Sequence, residues 1–160
     1  MEETEQPTVQ NRTSTQGEHN QRNNSNDTGY DKLSHKIDKV LRIGFINING
    51  IPAKSDNPKN KMIFEAIRKY EIDITGMVET NIQWNKVRMK DQWRERTLGE
   101  WESAHTTTSY NRNDISDRVF QPGGTMIHSV NRACHRVIKH GIDSSGLGRW
   151  CWKNSEDPTT

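Results

Sequence analysis

Leu41 to Thr80 reads LRIGFININGIPAKSDNPKNKMIFEAIRKYEIDITGMVET, two apolar runs flanking one amphipathic run. In Leu41–Asn49 the residues Leu, Ile, Phe, Asn and Asn alternate with Arg, Gly, Ile and Ile, so both faces are apolar for most of the length. That pattern predicts a strand buried in the middle of a sheet. Asn47 and Asn49 lie two apart, and a strand running through them would point both amides to one side before Gly50 stops it. Asn57-Pro58 then predicts a helix start, with Asn as the cap and Pro in the first helical position. Ile63, Phe64, Ile67 and Tyr70 follow at helical spacing, with Lys59, Lys61, Glu65, Arg68 and Lys69 on the other side. Ile72–Val78 predicts a second strand, ending in Glu79-Thr80. A strand-helix-strand crossover makes the two strands parallel and delivers Asn47 or Asn49 and Glu79 to the same sheet edge. Open α/β sheets usually hold their ligands at such an edge. Asn-Gly is also a common turn dipeptide, which is compatible with a site there.

Downstream, the charge-rich segment Trp84–Leu98 has Trp84, Val87, Met89, Trp93 and Leu98 as its apolar members and predicts a helix with one apolar stripe. Trp101–Thr108 is a further strand candidate, Ser109–Gln121 a polar loop, and Thr125–Val130, after Pro122-Gly123-Gly124, a third strand. Arg136–His140 and Gly148–Trp152 are shorter strand candidates on either side of the turn Ser144-Ser145-Gly146-Leu147-Gly148. Upstream, Leu33, Ile37 and Val40 suggest a short lead-in helix or turn over residues 32–40. Residues 1–31 hold only Met1, Val9 and Tyr30 as apolar side chains and read as a disordered polar arm. Residues 154–160 form a polar tail.

The composition fits this division. Hydrophobic residues are 29% of the 160, too few for the whole chain to offset the entropy of ordering it. A net charge of +2 is compatible with nucleic acid but too weak to imply it. Two cysteines, Cys134 and Cys151, without Cys-x-x-Cys spacing, exclude a disulfide framework and zinc-finger chemistry and suit reduced thiols. The absence of a basic-then-apolar leader and of a membrane-length apolar run points to an intracellular, nuclear or cytoplasmic protein without a membrane segment. The triplets at Asn11, Asn23 and Asn26 then read as chance occurrences rather than glycosylation sites. Adjacent Cys134 and His135, with His128 and His140, make poor chelating geometry and read as ordinary strand and loop residues. Trp93, Trp101, Trp150 and Trp152 read as packing residues rather than a base-stacking platform.

Ile46-Asn47-Ile48-Asn49-Gly50 and Met77-Val78-Glu79-Thr80 together resemble the first two motifs of the endonuclease/exonuclease/phosphatase superfamily, which includes DNase I. The likeness is closest to the endonuclease domain of non-LTR retrotransposons, with Pro122-Gly123-Gly124-Thr125 and Gly146-Leu147-Gly148-Arg149-Trp150 as less specific matches. The resemblance spans about residues 41–153. It implies an α/β (α+β) fold, a partial DNase I-like two-sheet sandwich, and metal-assisted hydrolysis of a phosphodiester with DNA as the partner. Glu79 matches the carboxylate that binds Mg²⁺ or Mn²⁺, Asn47 the asparagine that helps place metal and scissile phosphate, and Asn49 a more variable substrate-binding position. The chemistry is coherent, since a metal stabilises the leaving oxyanion while polar side chains orient the substrate.

The family's later motifs cannot be placed. The sequence contains neither an Asp-x-Asn nor an Asp-His pair, and a general base must come within hydrogen-bond reach of its water. The expectation is therefore the N-terminal part of such a domain, inactive by itself. A non-catalytic remnant, or a nucleic-acid-binding piece using the basic segment Lys86–Arg96, is the alternative.

Overall fold

The computed structural model describes residues 33–156. The arm expected over 1–31 and residues 157–160 of the expected polar tail lie outside them, while Asn154 and Ser155 of that tail belong instead to the last strand, Cys151–Ser155. The order is β1 (Ile43–Asn47), α1 (Pro58–Lys69), β2 (Ile74–Val78), two short 3-10 turns (Trp84–Lys86 and Met89–Asp91), α2 (Trp93–Thr97), β3 (Ala104–Ser109), β4 (Thr125–Val130), α3 (Asn131–His135), β5 (Val137–Ile142) and β6 (Cys151–Ser155). The fold is α+β.

The strand-helix-strand unit forms as the sequence predicts. Asn57 caps α1, its side-chain oxygen accepting from the Lys59 N–H at 3.0 Å, and Pro58 opens the helix. Ile63, Phe64 and Ile67 face inward onto Met77 and Met126 of the sheet and onto Trp93. β1 and β2 are parallel with Asn47 opposite Val78. β4 then pairs antiparallel with β2 and with β3, giving the order β1-β2-β4-β3.

β1 is thus an edge strand, not the central strand that its double apolar face suggests. Ile43 and Phe45 remain 55% and 83% exposed. On one face Gly44 packs beneath Ile72, and on the other the Phe45 ring lies directly over Gly76. A strand can be apolar on both sides because neighbouring side chains lie across it, without a strand on its outer edge.

β5 and β6 form an antiparallel pair laid against β3 and β4 on the face away from α1. The Lys153 Nζ of β6 donates to the His105 carbonyl at 2.6 Å and to the Ser129 hydroxyl at 3.0 Å. β6 begins later than expected because Asp143 draws the connection into a knot. Its carboxylate accepts from the Ser145 N–H and hydroxyl and from the Arg149 backbone and guanidinium.

The expected helix over Trp84–Leu98 is broken into two 3-10 turns and the single turn α2. Side chains here hydrogen-bond backbone that a helix would have paired internally. Gln92 donates to the carbonyls of both Trp84 and Val87 at 2.8 Å. Asp91, 3% exposed, accepts from the Ser55 N–H and hydroxyl and from Arg88. Trp84, Val87 and Trp93 are buried while Met89 and Leu98 are exposed, so the apolar residues do not form one stripe.

The lead-in is a turn at Asp38–Lys39, not a helix, and Leu33, Ile37 and Val40 stay exposed. Asp73, buried between β-layers and lead-in, anchors it by accepting from Lys36 Nζ at 2.5 Å and the Arg42 N–H at 2.7 Å. No helix among the described residues is long and apolar enough to cross a membrane.

Candidate functional site

The C-terminal ends of β1 and β2 meet as predicted, but through turns rather than continuing strands. β1 ends at Asn47, whose side-chain oxygen accepts the N–H of Asn49 at 3.0 Å. This Asx-type turn throws Asn49 and Gly50 into the left-handed region, at φ 46° and 85°. The two amides therefore do not share one strand face. Asn47 is held at the edge and Asn49 turns away from the ladder, with both side chains exposed.

Glu79 also has a left-handed backbone, φ 54°, and so does Asn81, φ 53°. An L-residue with a long side chain pays a conformational cost there, and such residues concentrate at ligand sites. The surrounding ladder imposes the conformation. Gly50 and Ile51 donate to the carbonyls of Glu79 and Thr80, each at 2.7 Å, while Thr80 and Asn81 donate to the carbonyls of Gly124 and Gly123 at 3.3 and 2.7 Å. Asn81 also accepts the Gly123 N–H at 2.8 Å. Residues 79–81 are thereby laced between the loop after β1 and the Pro122-Gly123-Gly124 turn before β4. Thr80 is fully buried, whereas the Glu79 side chain is exposed and has no hydrogen-bond partner among the described residues.

Two contributors escaped sequence reasoning. The Lys59 ammonium donates to the carbonyls of Ile48, Asn49 and Gly50 at 2.8, 3.0 and 2.7 Å, which fixes the loop after Asn47. Its position in the first turn of α1, beside the Asn57 cap, was the available signal. Arg96 is the other. Buried at 8% exposure, its guanidinium donates to the carbonyls of Pro52, Ala53 and Asp91 and to the Asn60 side chain and lies against the rings of Trp84 and Trp93. Burial lowers its pKa to about 10, opposed by the Asp91 charge. No periodicity announces a cation in the middle of a core.

The donor set suits a hydrated hard cation. Glu79 presents one unpaired carboxylate, and the Asn47 oxygen, engaged once, retains a second lone pair. Mg²⁺ commonly takes one or two carboxylates and fills its octahedron with water and phosphate. Among the described residues no three His, Cys, Asp or Glu side chains converge on a point, so a closed protein cage is not built here.

The other histidines and cysteines stand apart. His128 is 1% exposed, edge-on to Trp93 and Trp101, with Nδ1 2.9 Å from the Thr106 hydroxyl. Burial above all lowers its pKa to about 3. Burial pushes the thiols of Cys134 and Cys151 upward, the opposite of a metal-binding thiolate. Trp93 and Trp101 pack in or against the core, as expected, while Trp150 and Trp152 remain 43% and 44% exposed, the Trp152 ring lying across Gly141 of the paired strand.

Compared with known protein families the chain matches no family model, and it has no significant match among curated proteins.

Proposed function

We propose that this chain carries the metal- and phosphate-placing part of a divalent-metal-dependent phosphodiesterase site acting on DNA, with Glu79 as the metal carboxylate and Asn47 as the amide that orients the phosphate. One observation carries the reading. Asn47 and Val78 are register partners across parallel strands, so Asn47 and Glu79 end neighbouring strands at one edge, where the Glu79 carboxylate is exposed and unpaired among the described residues. A metal held there would polarise a phosphoryl oxygen. Asn49 flanks the pair as a substrate contact, and Lys59 keeps its loop in place. Attack by water needs a positioned base, and the sequence holds no Asp-His pair. The chain by itself is therefore expected to bind metal weakly and to leave supercoiled plasmid intact.

The test is paramagnetic. Mn²⁺ titrated into ¹⁵N-labelled protein should broaden amide signals of residues 47–51 and 79–81 first, and Glu79→Gln should abolish that selectivity. Broadening centred elsewhere, or unchanged in Glu79→Gln, would overturn the assignment. Mn²⁺-dependent nicking that disappears in Glu79→Ala would instead show the chain to be catalytically sufficient.

A further inference from the structure

The face of the four-stranded sheet turned away from α1 is only partly covered by the β5–β6 pair. Between β6 and the free edge lies a groove of about 190 Å³ lined by Ile43, Phe45, Ile74, Gly76, Ile127 and, at one side, Ser129, Lys153 and Ser155. Its floor is aliphatic and aromatic. Gly76 is what opens it, since a side chain there would occupy the place of the Phe45 ring.

The wall is cationic. Lys153 has three N–H donors, two of them spent on the His105 carbonyl and the buried Ser129 hydroxyl. No carboxylate of the described residues reaches salt-bridge distance of it. The titratable groups around it bring no countercharge, since burial lowers the imidazoles of His105 and His128 and raises the thiols of Cys134 and Cys151. A largely buried ammonium without a counterion is poorly satisfied, and burial lowers the Lys153 pKa to about 8. An anion arriving at its remaining donor would make a charge-assisted hydrogen bond.

We infer that this groove binds a free medium-chain aliphatic carboxylate, its alkyl chain lying over Phe45, Ile43, Ile74 and Ile127 and its carboxylate on the Lys153 ammonium. The size agrees. At ~30 Å³ for each water-sized group, the groove accommodates about six such groups, the length of a hexanoate to octanoate chain. The inference is independent of the metal-site reading, because neither Glu79 nor the Asn49 turn lines the groove.

Octanoate, octanol and octylamine are titrated into the full chain by calorimetry, with ¹⁵N shifts as a second readout. Octanoate should saturate with Kd near or below about 1 mM, and octanol and octylamine should bind at least about tenfold more weakly. Phe45→Ala, at a position 83% exposed, should weaken octanoate about tenfold. Lys153→Met should erase the preference for octanoate over octanol, and Lys153→Arg should restore it. Should Lys153→Met not fold, Lys153→Arg and Phe45→Ala decide. Equal affinity of the wild-type chain for octanoate and octanol, shifts outside β1, β2, β4 and β6, or octanoate binding unchanged in Phe45→Ala would each overturn the inference.

Discussion

Gly50 donates its backbone N–H to the carbonyl of Glu79 at 2.7 Å, which ties the turn after the asparagine strand to the one glutamate at the candidate site. The bond works only while residues 48–50 keep their curled path, and that path is set from outside the turn. Lys59, reaching from α1, gathers three successive carbonyls of that segment.

Lys59→Met should therefore loosen the site more than the global fold. Hydrogen bonds to a charged group contribute about 1.5–3 kcal/mol in mutational series, so a loss of ~2 kcal/mol in urea unfolding is expected. Amide hydrogen exchange at Gly50 and Ile51 should rise in the variant while exchange in β4 stays near wild type. Unchanged protection at Gly50 would show that the clamp is dispensable.

Gly123 and Gly124 share φ +84°, yet they differ in surroundings. A Cβ on Gly124 would stand 2.5 Å from the Thr80 hydroxyl and 3.3 Å from the Ser109 carbonyl, while nothing lies within 4 Å of one on Gly123. The left-handed backbone costs an L-residue about 1–2 kcal/mol at either position. Gly124→Ala adds the clash with a buried neighbour and should cost at least ~1 kcal/mol more than Gly123→Ala. Chemical denaturation of the two variants side by side checks this difference.

Arg96→Lys should behave as a severe substitution despite keeping the charge. The planar guanidinium reaches four acceptors on three segments and lies against two indoles, and an ammonium cannot reproduce that fork. A loss of about 3 kcal/mol or more is expected, because buried carbonyls of Pro52, Ala53 and Asp91 lose donors. Near-UV circular dichroism should report it as well, since Trp84 and Trp93 lose the group that lies against both rings.

Acid should destabilise the protein through its buried imidazoles. Burial lowers His128 to about 3 and His105 to about 4, with Lys153 a secondary contributor to both and His140 to His105. In the unfolded chain both titrate near 6.5, so below that pH the unfolded state takes up protons that the native state refuses. Stability is complete above about 6.5 and falls as pH drops toward those lowered values. His128 alone corresponds to about 1.4 kcal/mol per pH unit, or ~2 kcal/mol between pH 6.5 and 5. Urea unfolding at several pH values should show that slope, and His128→Gln should flatten it by about that amount.

Much of the local architecture could be read directly. Asn57-Pro58 and the spacing of Ile63, Phe64 and Ile67 specify α1 because capping and amphipathic periodicity are local properties. The runs ending in Asn47 and Glu79 specify β1 and β2, and the short crossover makes them parallel. The 84–98 segment departs from its helical spacing for the converse reason. Gln92, Asp91 and Arg96 bond to backbone far from any helical partner, and periodicity carries no record of such pairings.

What the amino-acid sequence determined alone is the strand-helix-strand unit and the meeting of Asn47 and Glu79 at one edge, since these follow from chain connectivity and side-chain period. Tertiary structure decided the rest. It set β1 at the sheet edge, turned Asn49 away from Asn47, held Glu79 in a left-handed backbone between Gly50 and Gly124, and left an apolar groove beside Lys153, which has no carboxylate partner among the described residues. Each of these depends on contacts between residues distant in the chain, and such contacts are made only when the layers pack.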